Sequence, residues 1–163
     1  MRYVAEDEPW PLERTIEYLS LSHASWRERG YGGFAVTTES GDPIGEGSLL
    51  FFSGAATIEL GYTIATAHCG RGFGTETAHE LRRFAFETIG APRVFAVTDA
   101  RNHPSARILE KLAFREESPR DVHGTPHRFF VCDRGYVVPR GRGRASICGS
   151  YKANPLRPAA FTR

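Results

Sequence analysis

The hydrophobic pattern of this 163-residue chain changes its period at a short glycine-rich segment. Before it, residues 57–64 (TIELGYTI) have the β-branched and apolar content of a strand. After it, residues 75–89 repeat apolar side chains at helical spacing. The segment between them, Gly70–Gly74 (GRGFG), is a loop with glycine at alternate positions. A strand that runs through a glycine loop into an amphipathic helix predicts an α/β fold.

The remaining elements agree with this fold class. Turn chemistry between two β-prone runs, 34–38 and 44–52, predicts an antiparallel hairpin. The run 93–98 is almost continuously apolar, as expected of a buried central strand. Further elements are predicted as a helix over 11–29, a helix from Pro104 and a last hairpin over 114–132. This order predicts a mixed, mostly antiparallel sheet with flanking helices.

The charge of the chain changes at residue 134. Residues 1–133 hold all 19 acidic residues against 14 basic ones, a net charge of −5, whereas residues 134–163 hold seven basic residues and no acidic ones. We expect one domain over 1–133 and a flexible Arg/Gly/Pro-rich tail over 134–163, in which no helix or strand of useful length fits. No apolar run approaches the ~20 residues of a membrane span, and the N-terminus lacks the apolar core of a signal peptide. Three cysteines are too few for a disulfide framework, so we expect a cytoplasmic protein with no membrane partner.

The glycine segment has the chemistry of a phosphate-binding loop. Glycines let the backbone approach a ligand closely, and the first turn of the following helix presents unpaired N–H groups with partial positive charge. The other interpretation is a strand-to-helix turn that binds nothing. A Walker A loop is excluded because the chain has no Gly-Lys pair, and a dinucleotide fingerprint would need a third glycine where Thr75 stands.

Two longer motifs resemble the GNAT acetyltransferase superfamily over about residues 1–133. In that family a [Gln/Arg]-x-x-Gly-x-[Gly/Ala] segment follows the fourth strand, and the counterpart here is Cys69–Gly74, whose first residue departs from the pattern. The run Asn102–Phe114 (NHPSARILEKLAF) matches the second family segment except at Ala113, where the family has glycine. A Gly-Tyr strand at 61–62 and the run Gly70–Glu76 (GRGFGTE) are similar to the branch of ribosomal-protein N-terminal acetyltransferases.

The resemblance implies acetyl-CoA as the co-substrate and gives each segment a role toward it. Loop amides would bind the pyrophosphate, a strand backbone would hold the pantetheine arm, and the start of the last helix would face the thioester. The residues implied are Gly70, Arg71, Gly72, Phe73, Gly74 and Thr75 for the pyrophosphate, Tyr62, Thr63 and Ile64 for the pantetheine arm, and Asn102 and Ser105 for the thioester end. Asn102 also suits a helix cap before Pro104, and Ser105 is either the proton donor to the leaving thiolate or a first-turn cap.

The reaction implied is the attack of an amine on a thioester, which needs a base because only a neutral amine attacks. An α-amino group has a pKa of ~8 and a lysine ~10.4, so the lysine costs about 3 kcal/mol more to deprotonate. By resemblance, Glu59 is the candidate base, acting through water, with burial raising its pKa. The other interpretation is a solvated strand glutamate. Tyr62 points to the opposite face of its strand, so we expect it to pack.

Other polar clusters carry weaker signals. His123, His127 and Cys132 lie in the last hairpin without the spacing of a tetrahedral zinc site, so we expect no metal. The run Arg140–Arg144 (RGRGR) has the charge to contact RNA or a ribosome by counterion release, although a charged tail is usually just solvated.

The chain departs from the family pattern at its ends. Members of this branch begin with a strand and a helix before the segment that Met1–Val4 resembles, so we expect the GNAT fold without its first strand and helix. The expected function is acetyl-CoA-dependent N-acetylation of an amine, either a protein N-terminal α-amine or a small amine, by direct transfer in a ternary complex. The alternative is a catalytically impaired acyl-CoA-binding or interaction module whose basic tail docks on an acidic partner.

Overall fold

A computed structural model describes residues 10–52, 57–122, 125–135 and 146–148. The strands are β1 (Gly33–Thr37), β2 (Pro43–Phe52), β3 (Thr57–Ile64), β4 (Arg93–Asp99), β5 (Arg115–Val122), β6 (Thr125–Asp133) and β7 (Ser146–Cys148). The helices are α1 (Leu12–Arg29), α2 (Phe73–Phe84), which continues as a π-helical turn over Ala85–Ile89, and α3 (His103–Lys111). A 3-10 turn, Thr66–His68, follows β3. Each element expected between residues 11 and 133 is present, with bounds shifted by no more than about two residues, the usual uncertainty of element ends.

The strands form one mixed sheet in the order β5-β6-β4-β3-β2-β1-β7. The pair β3–β4 is parallel, and the other neighbouring pairs are antiparallel. Strand β4 lies inside the sheet between β3 and β6, and its residues 94–96 are buried, which confirms the prediction of a central strand. The predicted fold class, a mixed and mostly antiparallel sheet with flanking helices, is therefore confirmed.

The main core lies between one face of the sheet and helices α2 and α3. Alternation along the strands and helical spacing along α2 and α3 bring large apolar side chains into one cluster. Its fully buried members include Leu49, Leu60, Leu81, Leu109 and Phe130. Burial of each such side chain stabilises the fold by roughly 1.5–3 kcal/mol, so this face fixes where α2 and α3 lie on the sheet.

Helix α1 packs differently from α2 and α3. Its Trp26 contacts Phe34 with ring centroids 5.0 Å apart and donates a hydrogen bond from Nε1 to the Gly33 carbonyl. The leucines and isoleucine whose spacing predicts this helix are exposed by half or more: Leu12, Ile16, Leu19 and Leu21. The helix is therefore held to β1 through its C-terminal half. None of the helices in the described part of the chain is long and apolar enough to cross a membrane.

The short strand β7 belongs to the basic tail, where we expected no strand of useful length. It pairs antiparallel with β1, with Ile147 opposite Val36. Three residues of the tail thus extend the sheet beyond β1, which corrects that expectation for residues 146–148. Residues 136–145 and 149–163, including the Arg140–Arg144 run, lie outside the described residues.

Candidate functional site

Strands β3 and β4 separate shortly after they meet. They pair at two register positions, Ile58 with Val94 and Glu59 with Phe95, and β3 then continues to Ile64 beside β2 alone. Parallel neighbours normally share an unbroken ladder of hydrogen bonds. The separation therefore leaves a slot in the sheet whose β3 side carries the backbone of Tyr62, Thr63 and Ile64.

The glycine loop places the N-terminus of α2 beside the slot. Gly72 is the N-cap with φ 95° and Gly70 has φ 76°, both in the left-handed region that side chains disfavour. The helix begins at Phe73, two residues before the expected Thr75, so the loop is shorter than predicted. The N–H of Thr75 donates to the Gly72 carbonyl at 2.9 Å. Within the described part of the chain, the N–H groups of residues 72–74 make no hydrogen bond, and they are the donors available to an anion.

Two residues anchor this helix end. Phe73 is 8% exposed and packs with Val36 and Ile44 in a small apolar cluster that also contacts Ile64. A Cβ on Gly74 would lie 3.2 Å from Ile108 Cδ1 of α3, so glycine permits the close contact between α2 and α3. Phe73 and Gly74 thus hold the first turn in place by their packing.

Arg71 adds positive charge at the mouth of the loop. Its guanidinium lies 5.3 Å from the ring centroid of Phe73, and Nη1 lies 3.5 Å from His68 Nδ1. The side chain is exposed, and its contacts keep the charge beside the N-terminus of α2. An anion at the helix terminus would therefore meet both backbone N–H groups and a guanidinium.

Helix α3 begins beside the slot with a side-chain cap. Asn102 Oδ1 accepts a hydrogen bond from the Ser105 N–H at 3.2 Å, with Pro104 in the first turn, so the helix-cap interpretation of Asn102 is confirmed. The Ser105 hydroxyl is 3.0 Å from the hydroxyl of Tyr62. Tyr62 packs against the main core, as predicted, and burial raises its pKa to about 12, although the hydrogen bond to Ser105 acts in the opposite direction. The Tyr62–Ser105 hydrogen bond links β3 to α3 and was not foreseen from the sequence.

Glu59 lies at the last paired position before β3 and β4 separate. Side chains alternate along a strand, and Leu60 and Tyr62 belong to the core beneath α2, so Glu59 faces the other side of the sheet. Burial raises the pKa of Glu59 above its usual value of 4.5. No hydrogen bond or ion pair of its carboxylate is found within the described residues. A half-buried carboxylate with a raised pKa beside a slot has the properties of a general base.

The expected site residues therefore fall on two sides of the slot. The loop residues, Asn102 and Ser105 lie on the side of α2 and α3. Glu59 lies on the opposite face, together with Thr63, whose register partner is Glu46. The slot is the place where the two sides meet.

No pattern in the sequence indicates the second half-buried carboxylate that lies on the Glu59 face. Glu46 of β2 accepts a short hydrogen bond from the Tyr18 hydroxyl of α1. Burial raises the pKa of Glu46 despite that hydrogen bond, and burial together with the nearby Glu46 raises the pKa of Tyr18. The alternation of residues 44–52 places Glu46 and Glu59 on one face once the register is known, but only the structure supplies the register and the contact with α1.

The described histidine and cysteine of the last hairpin, His127 and Cys132, lie on opposite faces of the sheet. Cys132 is buried in the main core, where its Sγ lies 3.3 Å from Arg82 Nε. His127 is half-buried opposite Asp99 in the β4–β6 pair. His123 lies outside the described residues. The described members of this trio do not face a common point, since residues 127 and 132 point to opposite sides of β6.

Comparison with known proteins agrees with this architecture. The family model for the acetyltransferase (GNAT) domain matches residues 1–115. The uncharacterized N-acetyltransferase p20 of Bacillus licheniformis is 32% identical over 59 residues, 36% of this chain and 33% of that protein. The chain thus spans about a third of the length of the curated relatives it matches.

Solved structures share the fold over most of their length. The acetyltransferase of Agrobacterium tumefaciens str. C58 superposes with a TM-score of 0.67 at 25% identity, covering 78% of this chain and 75% of that one. Ribosomal-protein-S5-alanine acetyltransferase from Vibrio fischeri superposes with a TM-score of 0.65 at 17% identity, covering 78% of each chain, a likeness of fold alone. With a family match over residues 1–115 and a sheet that opens beside a glycine-capped helix, the chain belongs to the GNAT acetyltransferase family.

Proposed function

We propose that this chain transfers the acetyl group of acetyl-CoA to an amine by direct attack in a ternary complex. One observation carries the proposal: the slot between β3 and β4 opens beside the N–H groups of residues 72–74, which make no hydrogen bond within the described part of the chain. A pyrophosphate at the N-terminus of α2 is favoured by the helix dipole, by the loop amides and by Arg71. The pantetheine arm would then lie along the backbone of Tyr62–Ile64 as an added strand. Residues 1–133 would carry this activity, with none assigned to the tail.

Glu59 and Ser105 have complementary roles in this proposal. The amine nitrogen forms a bond to the thioester carbonyl carbon, and Glu59 accepts the proton that the amine loses, through a water molecule. The tetrahedral intermediate then expels the CoA sulfur, and the thiolate takes a proton from the Ser105 hydroxyl. The hydrogen bond between Ser105 and Tyr62 supports this role because Tyr62 supplies a partner for the oxygen that loses the proton.

The acceptor proposed is the α-amine of a protein N-terminus or a small amine. A base that acts through water suffices for an α-amine with a pKa of ~8, whereas a lysine is about 3 kcal/mol harder to deprotonate. The GRGFGTE run at Gly70–Glu76 supports placement in the branch of ribosomal-protein N-terminal acetyltransferases. The cysteine content of the sequence supports a cytoplasmic location.

The first experiment separates the proposal from a binding module that lacks catalysis. Thermal unfolding is measured with and without acetyl-CoA, and thiol release is measured with peptides bearing a free α-amine, their Nα-blocked counterparts and small amines. We expect a rise in Tm with acetyl-CoA and thiol release with at least one amine. A rise without thiol release on any acceptor would favour the module, and the absence of any rise would exclude both.

The second experiment tests the base. Glu59→Gln keeps the size of the side chain and removes its charge, so we expect kcat to fall by about 10²–10⁴-fold with the Kd for acetyl-CoA unchanged. The matched control is Glu13→Gln, the same change at an exposed position in the first turn of α1. Full activity in the Glu59 variant would remove Glu59 from the mechanism.

A further inference from the structure

A cavity of about 230 Å³ lies between α1 and the strands β1 and β2. Aromatic side chains contribute to its walls, namely Tyr18, Trp26 and Phe34, and the carboxylate of Glu46 lines it as well. A ring face and a carboxylate are the two groups by which proteins bind an ammonium ion. The cavity therefore has the chemistry of a site for a small cation.

The charge of Glu46 is not balanced within the described part of the chain. Its one hydrogen bond there is the one it accepts from the Tyr18 hydroxyl, and no ion pair reaches it among the described residues. Glu46 is half-buried, and a cationic partner would favour its ionised form because burial removes part of the water around the carboxylate. Glu46 lies on β2 between β1 and β3, so its backbone is fixed on both sides by the sheet.

Glu46 and Glu59 face the same side of the sheet. In the β2–β3 pair Glu46 is opposite Thr63, and Glu59 is opposite Leu50. The two glutamates are thus four residues apart along the strands, which places their Cα atoms about 14 Å apart. Ser48 lies between them on the same face and hydrogen-bonds to Tyr18.

We infer that Glu46 is a specificity-determining residue that binds a second cationic group of the acceptor in this cavity, while the reacting amine lies at Glu59. The inference rests on the proposed function and narrows its acceptor to molecules with two cationic nitrogens. Allowing one hydrogen bond of ~3 Å at Glu46 and a bridging water spanning about 5 Å at Glu59, the two nitrogens would be about 6–14 Å apart. An acceptor with only one amine loses the contact with Glu46, and a short diamine cannot reach both glutamates.

The test compares matched pairs of acceptors by thiol release. The first pair is 1,8-diaminooctane and octylamine, which have the same chain and differ in the second amine. The second pair is 1,3-diaminopropane and propylamine, in which the diamine is too short. We expect kcat/KM to favour the long diamine at least tenfold over octylamine, well above the statistical factor of about two for two equivalent amines. The short pair should differ by no more than that statistical factor.

Glu46→Gln assigns the preference to the carboxylate. We expect this variant to lose the tenfold preference, mostly through a higher KM for the long diamine. Glu39→Gln, the same change at an exposed turn position, should keep the preference. A preference that survives in the Glu46 variant, or a wild type that treats the long pair alike, overturns the inference.

A binding measurement keeps this result separate from the proposed function. Isothermal titration of 1,8-diaminooctane and octylamine into wild type and Glu46→Gln needs no turnover. If no amine releases thiol, the proposed function fails, and the inference about the cavity then stands only if the wild type binds the diamine at least tenfold more tightly than the variant does. Equal binding by the two proteins refutes it.

Discussion

Replacement of Ala113 by glycine tests how helix α3 ends. Ala113 has φ 63°, the left-handed conformation, and follows the C-cap Leu112. Its N–H donates to the Glu110 carbonyl at 3.0 Å, and the Phe114 N–H donates to the Leu109 carbonyl at 3.0 Å. These two bonds define a Schellman motif, in which glycine is the preferred residue at the left-handed position. Leu109 and Phe114 are both buried in the main core, so packing holds Ala113 in this conformation.

The expected gain is small because two effects oppose each other. A left-handed backbone costs an ordinary L-residue roughly 1–2 kcal/mol, which glycine avoids. Glycine also loses more chain entropy on folding, which costs about 0.4–1 kcal/mol relative to alanine. Loss of the half-buried methyl group removes part of the ~0.8 kcal/mol that one buried carbon contributes. The net stabilisation expected for Ala113→Gly is about 0.5 kcal/mol, or a Tm rise of about 1–2 °C.

The test depends on whether Ala113→Gly raises or lowers the free energy of unfolding. Urea unfolding at one pH gives the midpoints of the wild type, of Ala113→Gly and of Ala67→Gly, a control at an exposed position in the 3-10 turn Thr66–His68. The control should be destabilised by about 0.4–1 kcal/mol, since glycine there brings only the entropy cost. Ala113→Val should be destabilised by about 1–3 kcal/mol, because a β-branched residue is strained at positive φ. An Ala113→Gly variant that is destabilised as much as the control would refute the strained-cap argument.

Three further predictions follow from single residues. Thr77 is fully buried, and its hydroxyl has no hydrogen-bond partner among the described residues. Thr77→Val should therefore raise the free energy of unfolding by about 1 kcal/mol in urea titrations. A free energy of unfolding equal to or below that of the wild type would show that the hydroxyl is hydrogen-bonded. Gly72 has φ 95°, so Gly72→Ala should lower the free energy of unfolding by about 1–2 kcal/mol and, under the proposed function, raise the Kd for acetyl-CoA in calorimetry. The control is Gly41→Ala, at φ 93° in a distant turn, which should lower the free energy of unfolding by a similar amount and leave that Kd unchanged. The raised pKa of Glu59 means that the folded state binds its proton more tightly than the unfolded state, so this group stabilises the fold below about pH 4.5 and that contribution is lost as the pH rises. The free energy of unfolding of Glu59→Gln, relative to that of the wild type, should therefore be higher at pH 8 than at pH 4.5. The same difference between variant and wild type at both pH values would contradict a raised pKa of Glu59.

The local elements could be predicted because each depends on residues close in sequence. The alternation of strands, the helical spacing of α2 and the order of elements set the fold class before any contact was known. The cap at Asn102 was also predictable, since an asparagine two residues before Pro104 has a local reason to bond the first helical turn. The start of α2 was placed two residues late because Gly74 counts as a loop residue by composition, whereas its contact with Ile108 explains a glycine inside the helix.

Contacts between distant elements could not be predicted from the pattern. The apolar spacing of residues 12–21 correctly indicates a helix, but it does not show that Leu12 and Leu21 stay exposed while Trp26 makes the contact with β1. The tail has the composition of a flexible segment, yet residues 146–148 pair with β1, because an open strand edge offers backbone hydrogen bonds regardless of composition.

The two glutamates show why a site of this kind depends on register. A shift of β2 by one residue against β3 would move Glu46 to the face of α2, into a core of leucine and phenylalanine where a carboxylate would have no partner. The glycines at 45 and 47 oppose such a shift, since a Cβ would lie 2.3 Å from the Thr63 carbonyl oxygen at position 45 and 2.9 Å from Leu81 Cδ1 at position 47. Leu49, fully buried opposite Leu60, adds a second restraint, because the same one-residue shift would expose it at a cost of roughly 1.5–3 kcal/mol. The apolar core on one face of the sheet thus fixes the positions of the carboxylates on the other, and the spacing of about 14 Å between Glu46 and Glu59 follows from the packing of residues that never contact a substrate.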